Sequence, residues 1–266
     1  MFELRVKLED FKIGTSPVNI YIASINTARS TELCVRSIIR NTPRSSITIN
    51  IGDCGSTDST LPRLMKMLRK GLIDDIVIEP RGRSHGSWLD LWTNTCPTQY
   101  AAIVDSDIEI LKPSWLETLI STAQDTNAAI VCAEVLDEIP NYVDYTGVPR
   151  RLARRPSAWM MLVDVEKCRG RGSWGFAMED DQRIPEGLWG LDTGALLLRQ
   201  LESDGESVVA APDEFVRSFR HFGGLSWVKM THSKAWRHRA SLVKVRILNS
   251  YIYFRLLGLR LLSNRS

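Results

Sequence analysis

Apolar positions recur along the chain with two periods. Val18-Asn-Ile-Tyr-Ile-Ala-Ser24, Ile47-Thr-Ile-Asn-Ile51, Ile76-Val-Ile78 and Tyr100-Ala-Ala-Ile-Val-Asp105 are short runs rich in β-branched and aromatic residues. Runs of this length and type read as buried strands. Between them the period lengthens. Residues Thr31 to Arg40 carry Leu33, Val35, Ile38 and Ile39, and a second segment, capped by Ser56 or Thr57, carries Leu61, Leu64, Met65 and Leu68 before Gly71. Pro62 falls in the first turns of that helix, where its missing N–H is tolerated. Pro113 opens a third helix with Trp115, Leu116, Leu119 and Ile120. Strands alternating with helices at this spacing predict βαβ units and a parallel sheet. Such sheets bind ligands at the carboxyl ends of their strands. The segments to inspect are therefore Ser24-Ile-Asn26, Asp53-Cys-Gly-Ser-Thr-Asp58, Glu79 to His85, and Asp105-Ser-Asp107.

The second half is less regular. Ala128 to Val135, Ala158 to Val163 and Val208 to Ala211 read as strands, and Thr193 to Asp204 as a helix with Asp192 as its N-cap. Pro149-Arg-Arg-Leu-Ala-Arg-Arg-Pro156 reads as a basic loop, and Gly170 to Gly190 as a long functional loop. The expected organisation is an extension at 1–17, a domain at 18–228 with halves at 18–112 and 113–228, and a tail at 229–266.

Composition is that of an ordinary globular protein, with 44% hydrophobic and 24% charged residues. No run is long and apolar enough for a spanning helix, and Met1 to Asp10 has no apolar core of a secretory signal. Five widely spaced cysteines form no CxxC pair, which disfavours a zinc ribbon or a disulfide framework and points to a reducing, cytoplasmic setting. Charge is distributed unevenly. Phe215 to Ser266 holds eleven Lys or Arg and no Asp or Glu, so the remaining body carries 23 basic against 31 acidic residues. An acidic body with a basic tail implies an anionic partner for the tail.

Two carboxylates at a strand end, Asp105 and Asp107, can hold a hard divalent cation that keeps substrate phosphates in its shell; a solvated turn is the plain alternative. In Asp53-Cys-Gly-Ser-Thr-Asp58, Gly55 allows close backbone approach where a crossover enters its helix, whose N-terminus favours anions.

Together these motifs resemble the GT-A nucleotide-sugar glycosyltransferases, especially family 2. The carriers are Val18 to Ser24, Asn26, Cys34-Val-Arg-Ser-Ile38 with Thr42, Asp53-Cys-Gly-Ser-Thr-Asp-Ser-Thr60, His85-Gly86, Asp105-Ser-Asp107, and later Asp192-Thr-Gly with His221-Phe-Gly-Gly. The resemblance covers about residues 18 to 228. It implies a Rossmann-like α/β fold with a mostly parallel sheet and helices on both faces, to which the residues after 228 add a C-terminal helical tail. It implies a nucleoside-diphosphate-sugar donor bound by Ala23, Ser24, Asn26, Asp53, Ser56, His85, Asp105 and Ser106. It also implies Mn²⁺ or Mg²⁺ on Asp107 and His221, and Asp192 as general base, with Glu179-Asp-Asp181 as rival. Cys54 stands where the family often has Asp or Asn against the base. Inverting transfer to a glycan or lipid-linked acceptor, in cell-envelope synthesis, is the expected reaction.

Trp159, Trp174 and Trp189 are candidate sugar platforms or core anchors. Arg150, Arg151, Arg154 and Arg155 could grip an acceptor phosphate. The tail Tyr251 to Leu262 mixes apolar, aromatic and Arg residues, as membrane-interface segments do; packing on the body or on a second subunit is the alternative, and no nucleic-acid module is visible. A sugar-phosphate nucleotidyltransferase would need a Gly-rich basic loop after the first strand, and Ser24-Ile-Asn-Thr-Ala28 is not one. A non-catalytic nucleotide- or glycan-binding domain is the remaining alternative.

Overall fold

The computed structural model describes residues 4–7, 18–143, 149–169, 183–184, 187–190, 193–223, 225 and 236–263. The first half contains β1 (Leu4–Lys7), β2 (Val18–Ser24), α1 (Ala28–Asn41), β3 (Ile47–Asp53), α2 (Thr60–Arg69), β4 (Asp75–Ile78), α3 (His85–Thr95), β5 (Tyr100–Val104), β6 (Ile108–Ile110) and α4 (Trp115–Thr126). There follow β7 (Ile130–Cys132), β8 (Val135–Leu136), β9 (Ile139–Val143), β10 (Pro149–Leu152), β11 (Arg155–Pro156), β12 (Met160–Asp164) and α5 (Val165–Cys168). The chain continues with β13 (Arg183–Ile184), β14 (Gly187–Gly190), α6 (Ala195–Ser203), β15 (Val208–Ala210), β16 (Phe219–His221) and α7 (Trp236–Ser263).

Eight strands form the central sheet in the order β1-β4-β3-β2-β5-β12-β7-β15. The β2, β3, β4 and β5 strands are parallel, as the alternating pattern predicts. Strand β12 runs antiparallel to both β5 and β7, and β1 antiparallel to β4. The segment expected as an N-terminal extension thus adds an edge strand.

Residue alternation places helices on both faces. Val18, Ile20 and Ile22 of β2, Ala102 and Val104 of β5, and Met160 and Leu162 of β12 pack with α1, α2 and α4. Tyr21, Ala101, Ile103, Met161 and Val163 point the other way, towards α3, α5 and α6. A strand buried on both faces must be apolar throughout, which is why these runs lack polar alternation.

Helix α3 was not foreseen from the periodicity. Ser84 caps it by accepting from the Ser87 N–H, and Trp88 and Trp92 are buried one turn apart. Tyr21, Trp92 and Trp88 stack in series with centroids 5.1 and 5.2 Å apart. They lie on Gly52, where a Cβ would sit 2.8 Å from each indole.

Three local expectations are corrected. Neither Ser56 nor Thr57 caps α2. The Asp58 carboxylate accepts from the Thr60 N–H at 2.8 Å, and Ser56 is used elsewhere. The Pro149–Pro156 segment is not a loop, because β10 pairs with β9 and β11 with β8. Arg155 is buried there, donating to the Ala153 carbonyl, while Arg154 pairs with Glu202. Helix α6 starts at Ala195 with Gly194 in the N-cap position at φ +87°, so Asp192 is not its cap. Asp192, Trp174 and Glu179 to Asp181 lie outside the described residues.

Candidate active site

The site is assembled where β2, β3, β4 and β5 end. Strand β5 finishes at Val104, and the chain turns through Asp105-Ser106-Asp107 into β6. The Ile108 N–H donates to the Asp105 carbonyl at 3.1 Å, and the Asp105 N–H to the Trp159 carbonyl at 2.9 Å. Strand β6 then pairs with β16, placing His221 opposite Ile108. That pairing brings a residue more than a hundred positions away beside Asp107. His221 Nε2 lies 3.3 Å from Asp107 Oδ1, and the Phe222 N–H donates to the Asp107 carbonyl at 3.0 Å.

Asp105, Asp107 and His221 each offer a ligand atom, and these atoms lie within 4.8 Å of one another. Trp159 stacks on the His221 ring at 4.7 Å between centroids. The same indole lies 5.4 Å from the Phe219 ring, so it packs against two residues of β16. On the other side, His85 at the start of α3 places Nε2 3.3 Å from Asp105 Oδ1. Asp107 is almost covered, whereas the side chains of Asp105, His85 and His221 remain about 30% exposed, so the cluster opens to solvent.

The electrostatics follow from this crowding. Burial raises the Asp105 pKa; His85 opposes that shift and the Asp107 charge reinforces it. Burial works against protonating His221, but its hydrogen bond to Asp107 and the charges of Asp107 and Asp105 prevail and raise its pKa. Two close carboxylates with a neighbouring imidazole form a donor set that a divalent cation would satisfy.

The remaining predicted residues divide into two groups. Asn26, Asp53 and Ser56 form one connected turn. Asn26 adopts φ +52°, which Asn tolerates better than most residues. Its N–H donates to Ser56 Oγ at 3.0 Å, and its Oδ1 accepts from the N–H groups of Thr57 and Asp58 at 2.9 and 3.2 Å. Asp53 is buried; its Oδ2 accepts from the Ser56 N–H at 3.0 Å, while Oδ1 is buried with no hydrogen-bond partner. Gly55, at φ +83°, brings this turn against the β4–α3 loop, where a Cβ would lie 3.2 Å from the Gly82 nitrogen and the Pro80 carbonyl oxygen.

Ser24 and Ser106 face inward instead. The Ser24 hydroxyl is 3.0 Å from those of both Thr27 and Thr31, and Ser106 donates to Thr27 at 3.1 Å. This buried hydroxyl network ties the end of β2 to the Asp105–Asp107 turn and holds the floor of the site. Thr27 and Thr31 escaped the sequence reading, although hydroxyl residues four apart just after an apolar strand are a usable signal. Ala23, half-buried, pairs with Gly52 near the strand end. Cys54 turns into the core beside Trp88, and burial pushes its thiol up to about 12. It presents no polar group to the cleft.

A mostly parallel sheet with helices on both faces and an acidic turn after its fourth parallel strand define an α/β domain whose candidate site lies at the strand ends. Glycosyl transferase family 2 matches residues 20–181, more than half of the chain, and the chain belongs to that family. Its fold is of the GT-A type, and the chain spans less than two thirds of the TarS chain that it matches. The fold is similar to that of S. aureus TarS 1-349, with a TM-score of 0.51, 10% identity, and coverage of 80% of this chain and 62% of that one. It is also similar to the mannosyltransferase PcManGT from Pyrobaculum calidifontis in complex with GDP-Man and Mn2+, with a TM-score of 0.55, 14% identity, and coverage of 94% and 75%. At these identities the likeness is one of fold. No curated protein sequence matches.

Proposed function

We propose that this glycosyltransferase moves a sugar from a nucleoside-diphosphate sugar to an acceptor hydroxyl, with a divalent cation held by Asp105, Asp107 and His221. The observation that carries this reading is the convergence of two carboxylates and an imidazole on one open point at the strand ends. Mn²⁺ suits a set that includes imidazole better than Mg²⁺ does, because Mg²⁺ prefers oxygen ligands. The complex of PcManGT with GDP-Man and Mn2+ supports the same pairing of donor and cation. When bound, the cation neutralises charge developing on the departing diphosphate.

The chain's own residues do the rest. The unpartnered Asp53 Oδ1 fits an N–H donor on the nucleobase. The turn locked by Asn26 shapes the nucleoside pocket, and His85 stands beside the Asp105 carboxylate. Asp192, three residues before α6, takes the proton from the acceptor hydroxyl in a single displacement with inversion.

Thermal unfolding with nucleoside diphosphates and their sugars, with and without Mn²⁺, tests the binding half of this reading. A ligand at ~100 times its Kd stabilises by about 2.7 kcal/mol. Asp192→Asn should retain the donor-induced shift and lose transfer. Loss of both to the same degree would remove Asp192 as the base.

A further inference from the structure

Helix α7 is apolar on two opposite sides. Val245, Ile252, Leu256 and Leu259 are buried in a cluster with Leu33 of α1, Phe222 and Leu225. Val243, Ile247, Phe254 and Leu261 point outward and are 54%, 65%, 69% and 66% exposed. At about 100° per residue these four fall on one stripe, roughly opposite the buried one. Lys244 borders the outward stripe on one edge and Arg246 on the other, while Arg255 and Arg260 turn to the body and bind Glu109 and Glu32. In sequence these cations look scattered. The fold resolves the pattern, since one apolar face is consumed by the body and the other is left between two basic borders.

A second feature adjoins it. Where Arg260 reaches α1 and α2, a cleft of about 450 Å³ is lined by Glu32, Arg36, Arg63, Lys66, Lys70 and Arg260. Five cations surround a single carboxylate. The whole of α7 contains six Lys or Arg and no Asp or Glu. Pairing this helix with its own copy would bring like charges together with no acidic partner on the helix. Among the described residues no helix is long and apolar enough to cross a membrane. An exposed apolar stripe with basic borders suits a helix lying in the plane of an anionic bilayer surface.

We propose that the outward face of α7 and the adjoining basic cleft dock this enzyme on an anionic lipid surface. The stripe enters the headgroup region, and the cleft receives lipid phosphate. This inference is independent of the cation and donor assignments.

The test is cosedimentation of the full chain with vesicles of phosphatidylcholine alone and of phosphatidylcholine mixed with phosphatidylglycerol. The mixed vesicles should bind at least ~10-fold more tightly, and added salt should weaken that binding. Ile247→Glu with Phe254→Glu should reduce it at least ~10-fold. Lys66→Glu with Lys70→Glu should reduce it by a similar factor. Thermal unfolding confirms that these exposed-site variants fold. Equal binding to both vesicle types, or undiminished binding by Ile247→Glu with Phe254→Glu, would overturn the proposal. So would light scattering that shows a dimer broken by the same pair, because the stripe would then belong to a second copy. Donor-induced thermal shifts, measured in parallel, report separately on the active site.

Discussion

Replacing Glu32 with Gln tests how α7 is held on the body. Glu32 sits on α1 and is only 4% exposed. Arg260 of α7 donates to it from Nε at 3.0 Å and from Nη2 at 2.5 Å, while Arg36 and Arg63 donate at 2.9 and 2.5 Å. Burial alone would raise its pKa, but the three guanidinium groups prevail and lower it from 4.5 to about 2. A carboxyl moved that far contributes about 3 kcal/mol to folding, as an upper figure because Arg260 and Arg63 are partly solvated. Because the folded pKa is depressed, this stability is present above the unfolded value and is lost as pH falls towards the folded one. About 2 kcal/mol of it should be gone by pH ~3. Urea unfolding at several pH values between 7 and 3 is the assay. Glu32→Gln should cost about 2–3 kcal/mol near neutral pH, and the gap between variant and parent should shrink steadily with acid. A gap that is constant across this range, or absent at neutral pH, would refute the assignment of that stability to the Glu32 cluster.

Gly52→Ala should destabilise by about 1–3 kcal/mol in thermal or urea unfolding, because its Cβ would meet the indoles of Trp88 and Trp92 at 2.8 Å. Asn26→Ala removes the acceptor for the Thr57 and Asp58 N–H groups and the residue best suited to φ +52°. It should weaken nucleoside-diphosphate binding about 10-fold by calorimetry while changing metal binding little.

How much of this was legible in the sequence depends on whether a feature is local. The parallel strands β2 to β5 and the acidic turn at Asp105 to Asp107 are encoded in contiguous runs, and each lies where those runs place it. Helix α3 was missed because it begins with His85-Gly86-Ser87, which is polar and weakly helical. The signal was Ser84 followed by Trp88 and Trp92 at helical spacing. Strands β10 and β11 were hidden by four arginines and two prolines, since pairing with β9 and β8 is a long-range property that overrides local composition. The direction of β12 likewise depends on its neighbours rather than on its own residues. The tail defeated a one-sided reading because α7 buries one apolar face and exposes another. The family resemblance implied a metal-site role for His221, and the β6–β16 register supplies the physical reason it lies beside Asp107.

The most direct test of the account is calorimetric titration of Mn²⁺ into the full chain in the presence of a nucleoside diphosphate. Saturable binding to the parent protein is expected, weakened at least ~10-fold in both Asp107→Asn and His221→Ala while thermal unfolding without metal stays close to the parent's. Mn²⁺ binding of equal affinity in parent and both variants would contradict it.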